Sequence, residues 1–145
     1  MEQDVTTQST ATRAPEADPT AAATPEAAEA FAIEAARTAA DLNCSDVLIL
    51  NVTGLSPLTH YLVIATGTSD RQMRSVADEI ADAGKKTGFR RYGTDEDKAA
   101  TWIVADFVEV VVHLFEPSTR GYYDLEMLWG DATQVSWHRA QRGAK

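Results

Sequence analysis

The chain has 145 residues, enough to bury the core of one ordinary domain but not of two independent ones. With 22 acidic against 13 basic side chains, its formal charge of -9 disfavours extensive direct nucleic-acid binding and favours a basic protein partner, through complementary potentials. Cys44 is the only cysteine, so no internal disulfide forms. With no CxxC pair, no basic-then-apolar leader and no apolar run of membrane-spanning length, the expectation is a cytoplasmic protein away from the membrane.

Residues 1–24 are Thr, Ala, Pro, Glu and Asp with almost no large apolar side chain, a composition that reads as a disordered acidic tail. Thr24-Pro25-Glu26 then supplies an N-cap, a proline at the first helical position and an acidic first turn. The alanine-rich stretch carrying Phe31, Ile33 and Leu42 predicts a helix ending near Asn43. Val47–Val52 and Tyr61–Thr66 are apolar runs of strand length, separated by a loop with Gly54 and Pro57, and are expected to be covered on both faces. Thr68-Ser69-Asp70 offers capping side chains for a second, amphipathic helix whose Met73, Val76, Ala77, Ile80 and Ala83 recur at helical spacing as far as Gly84 and Gly88.

A charged loop from Arg90 to Lys98 leads to a hairpin, with Trp102–Phe107 and Glu109–Phe115 turning around Val108. Pro117-Ser118 predicts a last helix running through Trp129 to Gly130, and His138 to Lys145 reads as a short basic tail. The expected organisation is one domain over residues 25–137, an α/β fold with a mixed sheet packed by helices and no internal repeat.

Because strand side chains alternate between faces, the hairpin divides by parity. Ile103, Ala105, Phe107, Val110, Val112 and Leu114 form a wholly apolar set and are expected in the core. Trp102, Val104, Asp106, Glu109, Val111, His113 and Phe115 mix aromatics with ionisable groups, as partner surfaces do. The plainer alternative has Trp102 and Phe115 capped by the last helix, with Asp106 and His113 at sheet ends in water; both readings stand. His113 has no histidine at ligand spacing and reads as hydrogen-bonded and structural, while Cys44 reads as a small packing residue. Gly67-Thr68-Ser69-Asp70 could cradle an anion but lacks P-loop spacing, so capping is the expectation; Asp95 and Asp97 read as a solvated acidic cluster rather than a cation site. No cofactor or metal is expected.

From about Asp41 to Trp129 the chain resembles the Iojap family of ribosomal silencing factors. The resemblance is carried by HYLVIATGTSDRQMRSVADEI, TWIVADFVEVVVHLFEP and TRGYYDLEMLWGDA in that order. Asp95-Glu96 and Val108-Glu109 depart from the family's usual Glu-Gly and Gly-Asp at those places. The resemblance implies a sheet related to a degenerate nucleotidyltransferase core. It also implies a non-catalytic repressor that binds large ribosomal subunit protein number fourteen and blocks subunit association, with self-association as a further property. Carried onto this chain, it makes Trp102, Asp106, His113, Arg120 and Tyr123 the candidate contact or contact-supporting residues. A phosphate-binding nucleotidyltransferase-like enzyme and a structural homodimer are the alternatives.

Overall fold

A computed structural model describes residues 24–138. The two expected tails lie outside the described residues, apart from Thr24 and His138. Helix α1 spans Pro25–Asp41, and the Thr24 side chain accepts from the amide of Ala27, with proline in the first turn where a missing N–H costs nothing. Strand β1 (Ser45–Asn51) runs antiparallel to β2 (Tyr61–Thr66). Helix α2 covers Asp70–Thr87, capped by Ser69 at its start and by Gly88 at its end, where φ is +90°. Strands β3 (Gly93–Glu96), β4 (Trp102–Asp106) and β5 (Val110–Phe115) follow, then short helices α3 (Pro117–Tyr123) and α4 (Leu125–Leu128) and a final strand β6 (Thr133–Val135).

These six strands form one mixed sheet in the order β3-β4-β5-β2-β1-β6. Only β2 and β5 pair in parallel, Tyr61 opposite Val110 through to Thr66 opposite Phe115. The fold is therefore the mixed α/β arrangement expected. Every residue of β2 is buried, as its unbroken apolar run predicts, whereas β1 is covered less fully and begins with the exposed Ser45 and Asp46.

The parity division of the hairpin is realised. Ile103, Ala105, Phe107, Val110, Val112 and Leu114 are all buried in the larger core, packed with α1 and α2 on one face of the sheet. The opposite face carries a smaller core of Leu50, Val52, Leu62, Ile64 and Phe115, onto which Trp102, Leu125 and Trp129 pack. Two long helices thus seal one side, and the α3–α4 segment covers part of the other. Val104, Val111 and His113 remain partly accessible beside it.

Three local features differ from expectation. The charged loop contains β3, an edge strand whose four residues are all exposed and which pairs with β4 from Gly93 opposite Asp106 to Glu96 opposite Ile103. The single last helix is broken at Asp124, whose φ of +47° ends α3 and whose carboxylate accepts from Met127 to open α4. Strand β6 was not expected at all; it adds to the free edge of β1, and beyond it Trp137 donates from Nε1 to the Val47 carbonyl at 2.9 Å.

Candidate functional site

The accessible sheet face is built around Trp102. Its backbone is fixed by Asp97, whose Oδ1 accepts from the amides of Thr101 at 2.6 Å and Trp102 at 3.2 Å, while the Thr101 hydroxyl donates to the other oxygen. The Thr101 hydrogen bonds hold the Asp97 carboxyl below the usual aspartate range. Asp97 is thus a turn-forming acceptor rather than part of an acidic cation site. Among the described residues, no group of three or more His, Cys, Asp or Glu side chains is placed to hold a metal.

The Trp102 ring lies 5.0 Å from that of Phe115, 4.3 Å from Tyr123 and 6.0 Å from His113 between centroids, within the range of favourable aromatic contact. Its Nε1–H donates to Nδ1 of His113 at 3.2 Å. Burial lowers the His113 pKa to about 4, so the imidazole is neutral near pH 7; with Nδ1 accepting, its proton sits on Nε2. His113 occupies the middle of β5, between Ile64 and Val104 on the neighbouring strands. It is therefore the hydrogen-bonded histidine expected, and not a sheet-end residue in water. Phe115 is fully buried under the aromatic layer, and Tyr123 of α3 caps Trp102 while staying 45% exposed. Capping by the last helix and an accessible aromatic surface therefore coexist.

The five candidate residues are not one cluster. Trp102, His113 and Tyr123 are in mutual reach through Trp102. Asp106 shares their parity but stands four residues along β4, roughly 13 Å away by strand rise, exposed at the hairpin tip where it accepts from the Val108 amide. Arg120 is buried: Nη1 donates to the Asp46 carbonyl at 2.6 Å and the Thr66 hydroxyl at 2.8 Å, and Nε and Nη2 both donate to Glu126 Oε2. It ties α3 and α4 to the ends of β1 and β2, which makes it a support for the surface rather than a contact on it. Tyr122, Met127 and Leu128 were not singled out by the sequence, yet at 82%, 75% and 69% exposure they extend the apolar surface along α3 and α4. Reading one continuous helix there concealed them, because the break at Asp124 resets which side chains face outward.

The remaining sequence candidates are structural. Cys44 is buried and unpaired, with burial raising its thiol pKa, so it is no thiolate nucleophile. At the β2–α2 turn Ser69 accepts from Gln72 and the Gln72 side chain accepts from Thr68, consuming the polar groups as caps. A β-carbon at Gly67 would overlap Met73, which explains glycine there by close packing and not by phosphate access.

A mixed sheet sealed by helices on one face and presenting an aromatic, metal-free surface on the other defines a binding module. Residues 25–145 match the family model described as ribosomal silencing factor during starvation, and the chain belongs to that family. It is similar to the ribosomal silencing factor RsfS of Bacillus subtilis, with 38% identity over 98 residues, which are 68% of this chain and 83% of the relative. The chloroplastic Iojap protein of Zea mays is 33% identical over 119 residues, covering 81% of this chain and 52% of that protein. A crystal structure of a Chromobacterium violaceum protein superposes with a TM-score of 0.65 at 29% identity, covering 83% of this chain and 98% of that one. A Bacillus halodurans crystal structure gives a TM-score of 0.59 at 29% identity, covering 74% and 95%. Neither is described as a nucleotidyltransferase. Among the described residues no helix is long and apolar enough to cross a membrane.

Proposed function

We propose that this chain represses translation in the cytoplasm, without catalysis, by binding large ribosomal subunit protein number fourteen through the open face of its sheet and so blocking association of the small subunit. Residues 25–137 form the acting domain. The observation that carries the reading is the Trp102–Tyr123–His113 platform, an accessible aromatic layer held rigid by one hydrogen bond and by packing on Phe115. Such a layer suits an anchor, since aromatic side chains give large contact area at little conformational cost. Trp102 and Tyr123 make the contact. His113 offers Nε2–H as a donor, Asp106 extends the footprint to the hairpin tip, and Arg120 holds α3 in place. The negative charge of the chain suits a basic ribosomal protein.

Co-sedimentation with separated ribosomal subunits in moderate salt tests the proposal. Wild type should pellet with the large subunit only, and Trp102→Ala and Tyr123→Ala should each weaken this at least tenfold, the range of an interface anchor. Undiminished pelleting of both variants would remove the site, and pelleting with neither subunit would remove the function. The exposed Tyr122, Met127 and Leu128 favour one second reading, a homodimer through the α3–α4 surface. Light scattering that gives a monomer at working concentration would eliminate it.

A further inference from the structure

A second surface lies on the side of the molecule sealed by the long helices. Between α1 and α2 runs a groove of about 610 Å³, floored by Phe31 and Phe89 and rimmed by Glu34, Glu79 and Asp82 against a single cation, Lys86. All four rim side chains belong to exposed residues, so the groove is apolar at its base and acidic at its mouth.

Past β6 the chain is led directly to this region. Trp137 packs against the larger core, and Arg37 of α1 donates from Nε to the Trp137 carbonyl at 2.8 Å and from Nη2 to the His138 carbonyl at 3.4 Å. Arg37 stands three residues after Glu34 and one before Thr38, both of which line the groove, so the backbone at His138 is held less than one helical turn from it. Residues 139–145 are Arg-Ala-Gln-Arg-Gly-Ala-Lys, with three cations, no anion and only small or polar side chains between them.

We infer that residues 139–145 form a strap that crosses α1 and lies in the α1–α2 groove, with Arg139, Arg142 and Lys145 against Glu34, Glu79 and Asp82. The lengths match. Seven extended residues reach roughly 23 Å, and the groove from Thr38 back to Ala27 is roughly 17 Å long by helical rise. Charge selects this occupant over the others within the chain, because residues 1–23 carry Glu2, Asp4, Glu16 and Asp18 against Arg13 and are repelled by the same rim. A second copy, at -9, is repelled as a whole. The small side chains of the segment suit a shallow groove whose walls include Ala27, Ala30 and Ala83. The inference is independent of ribosome binding, since it concerns the face opposite the aromatic platform.

The test compares amide spectra of the full chain with those of a chain ending at His138. Amides of the α1 and α2 groove walls should shift on truncation, and raising the salt to about 0.5 M, where the Debye length falls to about 4 Å, should abolish the difference. A nitroxide at position 144, placed by Ala144→Cys in a Cys44→Ala background, should broaden the same amides by more than half. Glu79→Lys with Asp82→Lys should remove that broadening. Groove amides indifferent to truncation would overturn the strap. So would broadening spread evenly over the surface, broadening confined to the neighbours of Trp137, or broadening untouched by charge reversal. A basic ribosomal protein that fills the groove equally well with and without residues 139–145 would assign it to a partner and overturn the strap as well.

Discussion

Replacing Arg120 should be among the most damaging single changes outside the apolar core. The guanidinium satisfies the Asp46 carbonyl and the buried Thr66 hydroxyl, and it grips Glu126 with two donors at 3.1 and 2.7 Å. Each of the first two is a charge-assisted hydrogen bond of about 1.5 kcal/mol net, and its loss strands an acceptor away from water. The Glu126 pair is discounted to about 0.5 kcal/mol, since that carboxylate side chain is 37% exposed. Arg120→Ala should therefore destabilise by about 3–4 kcal/mol, lowering the urea midpoint by about 2 M at a slope near 1.5 kcal/mol/M. Arg120→Lys should recover less than half, because a single ammonium cannot serve Glu126 and the Asp46–Thr66 pair in the geometry of the planar fork. Equilibrium urea unfolding by tryptophan fluorescence reads the effect directly. A loss below about 1 kcal/mol for Arg120→Ala, with an unchanged slope, would refute the reasoning, since it would mean that the polar groups at this junction find water when the arginine is gone.

Three other outcomes are expected. His113 has a depressed folded pKa of about 4 against 6.5 for the free side chain, so the unfolded chain takes up its proton first; stability should fall as pH drops from 6.5 toward 4. In urea titrations between pH 6.5 and 5, above the carboxylate range, that slope should vanish in His113→Gln. Val108 turns the hairpin at φ +75°, a left-handed conformation that penalises a β-branched residue by more than glycine's added chain entropy. Val108→Gly should raise stability by roughly 0.5–1 kcal/mol in the same assay, and a loss would indicate that the Val108 side chain, 42% exposed, packs more usefully than its position implies. Gly67→Ala should lower stability by about 1–3 kcal/mol through overpacking against the buried Met73, measurable as a drop in Tm.

Elements with strong periodicity were legible in the sequence. The hairpin faces followed from alternation alone, because each strand is long enough to give three apolar side chains on the core side. The caps of α1 and α2 were equally plain, since Thr24 and Ser69 act on residues only three positions away. What escaped depends on distant parts of the chain. Strand β3, Gly-Thr-Asp-Glu, has no buried face and exists only by pairing with β4, so it carries no periodic signal. Strand β6 likewise borrows its conformation from β1. The burial of Arg120 is set by Asp46 and Thr66, 74 and 54 residues earlier, and no local pattern can announce an arginine turned inward. The departure at Val108 was visible as a valine where the family usually has glycine, and the structure keeps the glycine-like backbone there. The aromatic platform was half legible: parity placed Trp102 and His113 together, while Tyr123 joined them through a fold of the chain that the sequence gives only as a resemblance.

The parallel pairing of β2 with β5 also orders events in time. Residues 61–66 have no partner on that side until residues 110–115 exist, and the platform needs Tyr123 as well. Closing so long a loop is slow compared with making a hairpin or a helical turn. On a translating ribosome, the first hundred residues would emerge with the central strand still open along one edge. An incomplete chain therefore has no aromatic face to present, and the surface comes into being only as synthesis of the protein nears its end.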